Sequence, residues 1–138
     1  MQDRLELDIA PLASAVERLH EGLARHRGEP ADEQIRDGLI QRFEYTYELS
    51  HRFMRRFIRM TAASPADIDQ MPFQDLIRTA NQHGLLRGDW PAWHRFRDLR
   101  ARTSHTYHAE TAALVASEIP SFLDEAAYLC SQLRARLP

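Results

Sequence analysis

Apolar residues in this chain return every three or four positions, and no segment alternates with period two for long enough to make a strand. Leu5, Ile9, Leu12, Val16, Leu19 and Leu23 form one stripe, and side chains at that spacing share one face of an α-helix. Asp8 precedes the stripe as a capping residue, Pro11 belongs in a first turn or marks a kink, and Gly28-Glu29-Pro30 ends the helix, predicting a first helix over 9–27. Residues 31–61 contain no proline and return Ile35, Leu39, Phe43, Tyr47, Phe53 and Phe57 to one side. They predict one long helix of about 45 Å, at about 1.5 Å per residue. Thr61 to Gln70 reads as a polar connection, followed by a short helix over 72–83 that opens on Pro72 and stops at Gly84.

A fourth long segment starts at Asp89 as cap, with Trp90-Pro91 in its first turn and Trp93, Phe96 and Leu99 at helical spacing. Thr103-Ser104-His105-Thr106-Tyr107 interrupts it, because hydroxyl and β-branched residues favour caps and turns over helix interiors. The last helix starts near Ala109 and buries Leu114, Val115, Phe122, Leu123, Ala126, Leu129, Cys130, Leu133 and Leu137, with Pro120 expected to bend or split it near Glu118. The expectation is an all-α, up-and-down bundle of four main helices plus a short one, forming a single domain over residues 1–138.

Composition narrows the function classes. No apolar run approaches the roughly 18 residues of a membrane span, and no apolar h-region follows Met1. The single cysteine, Cys130, excludes an internal disulfide and any CxxC motif, which fits a reducing cytoplasm. There is no lysine, so all 18 cations are arginine, and the net charge of −2 is unevenly spread. Residues 36–59 and 87–108 each carry +3, whereas 1–35 carry −4. These are either helices with mixed solvated faces or two basic segments that meet and attract an anion such as RNA or a nucleotide.

The chemical candidate is Arg100-Ala-Arg-Thr-Ser-His105-Thr-Tyr107. On an unbroken helix positions five apart differ by about 140°, so Arg100 and His105 cooperate only if the helix ends between them or a second copy supplies one of them. An imidazole of pKa about 6.5 moves protons at neutral pH, and a guanidinium holds phosphate bidentately. Together they suit cleavage of RNA without metal or cofactor. The alternative is a surface arginine and a capping histidine. Glu17/His20 and Glu48/His51 are Glu-x-x-His pairs of the kind that bind two metals inside bundles, but Glu17 and His20 lie beside the apolar stripe. His105-x-x-His108 lacks a third ligand. Arg52, Arg55, Arg56 and Arg59 share a broad face at the end of the long helix, suited to its C-terminal dipole or to RNA.

Ile35-Arg-Asp-Gly-Leu-Ile-Gln-Arg-Phe-Glu-Tyr-Thr-Tyr-Glu-Leu49 closely resembles the signature helix of the nucleotidyltransferase substrate-binding proteins, a bacterial family of the HEPN superfamily. Further matches follow in order at Phe73–Ala80 with Gly84-Leu-Leu, at Thr103–Tyr107 and at Ile119-Pro-Ser-Phe-Leu123. The resemblance implies a homodimeric helical bundle and a minimal nucleotidyltransferase partner acting with it as a toxin–antitoxin pair. The HEPN member would be the ribonuclease, with an Arg-x4-6-His motif that maps onto Arg100 and His105 and is contributed by both protomers. In one branch the motif extends to Arg-x4-His-x-Tyr and the partner silences the toxin by transferring AMP to the tyrosine, here Tyr107. Arg97, Arg102 and Ser104 flank the motif as candidate RNA contacts. The position after the motif arginine is usually polar in the family and is Ala101 here, which favours the other reading, a non-catalytic binding subunit of the nucleotidyltransferase.

Overall fold

The structure, a computed structural model, describes residues 7–138. Six α-helices follow one another: α1 (Ala10–Gly28), α2 (Glu33–Thr61), α3 (Pro65–Asp69), α4 (Phe73–Gln82), α5 (Trp90–Arg102) and α6 (Ala109–Arg136), with a 3₁₀ turn at Thr103–His105 between the last two. Among the described residues there is no strand.

Pairings along the helices establish the up-and-down order. The Thr46 hydroxyl lies 3.3 Å from the Ala15 carbonyl, Arg42 Nη1 donates to the Arg18 carbonyl at 2.7 Å, and Gly22 sits against Leu39 and Arg42. Rising numbers on α1 meet falling numbers on α2, so the two are antiparallel. Phe122 of α6 packs on Phe43 of α2 and on Trp93 and Phe96 of α5, while Arg95 pairs with Glu118, so α5 and α6 are antiparallel too. Leu12, Leu19, Leu39, Phe43, Met54, Trp93, Ile119 and Phe122 are wholly buried. Each such aliphatic or Phe side chain contributes roughly 1.5–3 kcal/mol over leaving it in water.

Ile9, Leu12, Val16, Leu19 and Leu23 behave as the stripe requires, with Leu5 outside the described residues. Asp8 Oδ1 accepts from the Ala10 amide at 2.9 Å, one residue ahead of the formal cap. Asp32 caps α2 through Ile35 and Asp89 caps α5 through Trp90.

Three expectations are corrected. The connection after Thr61 contains a five-residue helix, α3, opened by Ser64-Pro65 and held because Arg55 Nη1 donates to the carbonyls of Ile68 (2.6 Å) and Met71 (3.0 Å). The bundle therefore has two short helices instead of one. Pro120 does not split α6. Ile119 and Phe122 beside it are wholly buried, and packing of both flanking turns holds the helix through the missing hydrogen bond. Leu114 is 41% exposed and lies outside the buried side of α6.

The α4–α5 connection fixes where α5 begins. Gly84 adopts φ 77°, with Leu85 N donating to Ala80 O and Gly84 N to Asn81 O, a Schellman ending. The buried Glu125 carboxylate accepts from the amides of Arg87 (2.8 Å) and Gly88 (2.7 Å), and a Cβ at Gly88 would lie 2.6 Å from Glu125 Oε2. Truncating Glu125 orphans both amides, so Glu125→Ala is expected to cost about 1–3 kcal/mol in a denaturant melt.

Candidate active site

The chain leaves α5 through a run of hydroxyls. Thr103 Oγ1 lies 2.6 Å from the Arg100 carbonyl, Ser104 Oγ 3.2 Å from that of Ala101, and Thr106 Oγ1 3.3 Å from that of Thr103. Each hydroxyl reaches a carbonyl three residues back, which substitutes for continued helical bonding and ends α5 at Arg102. The His108 amide then donates to the His105 carbonyl at 3.1 Å, and α6 starts at Ala109. The helix thus stops between Arg100 and His105.

Arg100 lies on the flank of α5 next to the buried Phe96 and Leu99 and reaches across to α2. Its Nε donates to Glu48 Oε1 at 3.1 Å and its Nη1 lies 3.3 Å from Glu44 Oε2. Glu44 and Glu48 are one helical turn apart and so grip the guanidinium from one face. Thr103 Oγ1 accepts from Nη1 at 3.0 Å and is 3.1 Å from Glu44 Oε2. The hydroxyl has one hydrogen, so it serves either Glu44 or the Arg100 carbonyl at any moment. All three charged side chains remain partly exposed, so each pair contributes only about 0.2–1 kcal/mol. The larger effect of the clamp is orientation.

His105 and Tyr107 are exposed, Tyr107 at 77%. The Tyr107 ring lies 4.3 Å from the His108 ring and 6.1 Å from that of His105. Arg97, Arg102 and Ser104 are also exposed. Among the described residues no hydrogen bond or ion pair joins Arg100 to His105: the first is turned onto α2, the second stands out on the break.

The clamp was not read from the sequence. Its signal was the Glu-x-x-x-Glu spacing of Glu44 and Glu48, overlooked because Glu48 was paired with His51 as a metal ligand. In the fold Glu48 faces Arg100, while His51 packs 4.6 Å from the Phe73 ring and its Nε2 lies 3.3 Å from Arg55 Nη2. Burial, then the Arg55 charge, push the His51 pKa down, with Glu48 opposing. The unfolded chain therefore binds a proton more readily than the folded one. Stability is expected to be full above pH 6.5, the ordinary value, and to fall as pH drops below it toward the lowered folded pKa. His51→Gln should flatten that part of a plot of melting temperature against pH.

Tyr47 and Phe43 are core. The Tyr47 hydroxyl is pushed up to about 12 by burial, against the lowering influence of Arg97 and Arg100, and stays protonated. Tyr45 is half-buried. Of the four α2 arginines, Arg55 holds carbonyls, Arg59 pairs with Asp69 at 3.0 Å, Arg56 lies over the Phe53 ring, and Arg52 is exposed. Glu17 and His20 line a groove between α1 and α6 together with Cys130, whose thiol burial pushes up.

These features define a helical-bundle protein that presents an oriented arginine and an exposed histidine at a break between two helices. The family described as nucleotidyltransferase substrate binding protein like matches residues 7–135. The Haemophilus influenzae protein named Probable ribonuclease HepT is 43% identical over 99 residues, covering 72% of this chain and 67% of that protein. A solved Haemophilus influenzae structure described as the substrate-binding domain of a nucleotidyltransferase superposes with a TM-score of 0.87 at 33% identity, over 92% of this chain and 99% of that one. A Thermus thermophilus crystal structure superposes with a TM-score of 0.71 at 27% identity, over 89% and 98%. The chain belongs to the nucleotidyltransferase substrate-binding protein family of the HEPN superfamily.

Proposed function

We propose that this protein is a metal-independent endoribonuclease toxin that works as a homodimer and is neutralised by a minimal nucleotidyltransferase. The observation that carries the reading is the helix break itself: it ends α5 two residues after Arg100 and leaves His105 and Tyr107 facing solvent. The relative named as a ribonuclease supports it.

In the proposed reaction a ribose 2′-hydroxyl attacks the adjacent phosphorus and the bond to the 5′-oxygen breaks, leaving a cyclic phosphate. His105 takes the proton from the attacking hydroxyl or delivers one to the departing oxygen. Arg100 spreads the extra negative charge of the transition state over its guanidinium. Because Arg100 and His105 diverge within one chain, a two-fold axis near the break pairs the arginine of one protomer with the histidine of the other. Arg97, Arg102 and Ser104 border that cleft as RNA contacts.

Tyr107 is the acceptor for AMP in this reading. Its oxygen attacks the α-phosphorus of ATP, pyrophosphate leaves, and the phenolic proton passes to a base on the transferase. The added phosphodiester is an anion two residues from His105, where RNA phosphate must sit, so it excludes substrate by bulk and by charge.

The test is incubation of the purified protein with tRNA or mRNA in EDTA. Cleavage by wild type but not by His105→Ala is expected, and equal survival of the RNA contradicts it. Ala101 and the engagement of Arg100 by Glu44 and Glu48 favour a second reading, a non-catalytic subunit that presents substrate to the transferase. A tight complex with the transferase and ATP, showing neither cleavage nor modified Tyr107, would establish that reading instead.

A further inference from the structure

A cavity of about 310 Å³ opens where the end of α1, the start of α2 and the first half of α6 converge. Its lining includes His26, Arg27, Arg36, Ala116, Ser117 and Pro120, and no carboxylate. Two of these residues each carry a buried polar atom with no hydrogen-bond partner among the described residues, His26 Nδ1 and Arg36 Nε. Among the described residues Arg36 Nε pairs with Asp37 at 3.8 Å, beyond hydrogen-bond length, and Asp37 is 63% exposed. Pro120 lacks an N–H, so the Ala116 carbonyl has no partner four residues on. Buried polar groups are almost always paired, and an unpaired donor on a charged guanidinium is the costliest kind to leave.

We propose that this cavity is an anion site for a phosphate-bearing small molecule, held by Arg36 and Arg27 with His26. The α2 groove offers a contrast. There Arg55 and Arg59 are already committed to protein partners, and Glu48 and Asp69 line the same space. In the α1–α6 cavity Arg27 and Arg36 share a lining that holds no carboxylate. A phosphoryl oxygen there would accept from the parts of those guanidinium groups that face the open space. The guanidinium fork suits it geometrically, as it does other planar or tetrahedral oxyanions. A hydroxyl on phosphate or on a ribose would in addition offer a proton to the Ala116 carbonyl. The site is separate from the α5–α6 break and stands whether or not the protein cuts RNA.

The experiment titrates the full chain, in low-salt buffer free of phosphate, with inorganic phosphate, AMP and ATP by calorimetry. One saturable site per chain is expected, weakened about tenfold or more by Arg36→Gln and unaffected by His105→Ala. Should Arg36→Gln fold poorly by circular dichroism, Ala113→Glu provides the second variant. Ala113 lines the cavity and is exposed, so the substitution adds an opposing charge without disturbing the core, and it should weaken binding similarly. Much tighter binding of ATP or AMP than of phosphate assigns a nucleotide, and equal binding assigns the phosphoryl group alone. Absence of saturable binding overturns the proposal. So does binding that His105→Ala abolishes while Arg36→Gln and Ala113→Glu leave it intact, which would put the anion at the helix break.

Discussion

His105→Ala is expected to lower RNA cleavage by about 10²–10⁴-fold, the range that a positioned general acid or base supplies, and to leave the melting temperature unchanged. The two halves of that expectation come from one fact. His105 projects from a 3₁₀ turn whose backbone is tied by Thr103, Ser104 and Thr106 hydroxyls, so its imidazole contributes no burial to the fold. Initial rates on tRNA in EDTA, beside a thermal melt, read both halves together. Arg100→Ala should cost activity as well but behave differently in the melt. It leaves Glu44 and Glu48 facing each other one turn apart without their shared cation, and like charges at that spacing destabilise a helix by about 0.2–0.5 kcal/mol. An activity loss in His105→Ala accompanied by unfolding would mean that the histidine is a cap and not a proton carrier.

The largest effect on stability is expected from Phe122→Ala, at about 3–5 kcal/mol. Phe122 is wholly buried and its ring meets four others: Phe43 at 5.0 Å, Phe96 at 5.3 Å, Trp93 at 6.0 Å and Tyr47 at 6.1 Å. These rings come from α2 and α5, so truncation opens a cavity at the point where three helices converge. Relaxation cannot close it easily, because Trp93 and Phe43 are held by their own contacts with Phe96 and Tyr47. The loss should be read from the midpoint of a urea melt at unchanged slope. A loss below about 1 kcal/mol would show that the aromatic cluster repacks. Since the same cluster anchors α5, activity should fall only in step with the folded fraction.

The long helices were legible because their signals are local. Asp89 caps α5, Gly84 ends α4, and the hydroxyl run stops α5 just ahead of His105. What was missed depends on partners far along the chain. The five residues of α3 have no periodicity to read and are held by Arg55, 13 residues before Ile68. Pro120 argued for a break on local grounds, and packing on both sides overruled it. Leu114 has the hydrophobicity of a core residue but lies on the outer face of α6. At the site, Arg100 and His105 stood out by type and spacing, and Tyr107 through the family resemblance. The hold on Arg100 did not, because Glu44 and Glu48 lie 56 and 52 residues earlier in the chain. Glu125 was invisible for the same reason: its role is defined by two amides 37 and 38 residues away.

Subunit mixing reaches furthest into the central claim, that one protomer's guanidinium and the other's imidazole make one pocket. Arg100→Ala and His105→Ala proteins, each inactive alone, should be unfolded together, refolded and assayed on RNA in EDTA. Random pairing gives half mixed dimers, each with one intact composite pocket, and so about a quarter of wild-type cleavage should return. If labelled subunits are seen to exchange and cleavage stays at the level of the separate variants, the shared pocket does not exist.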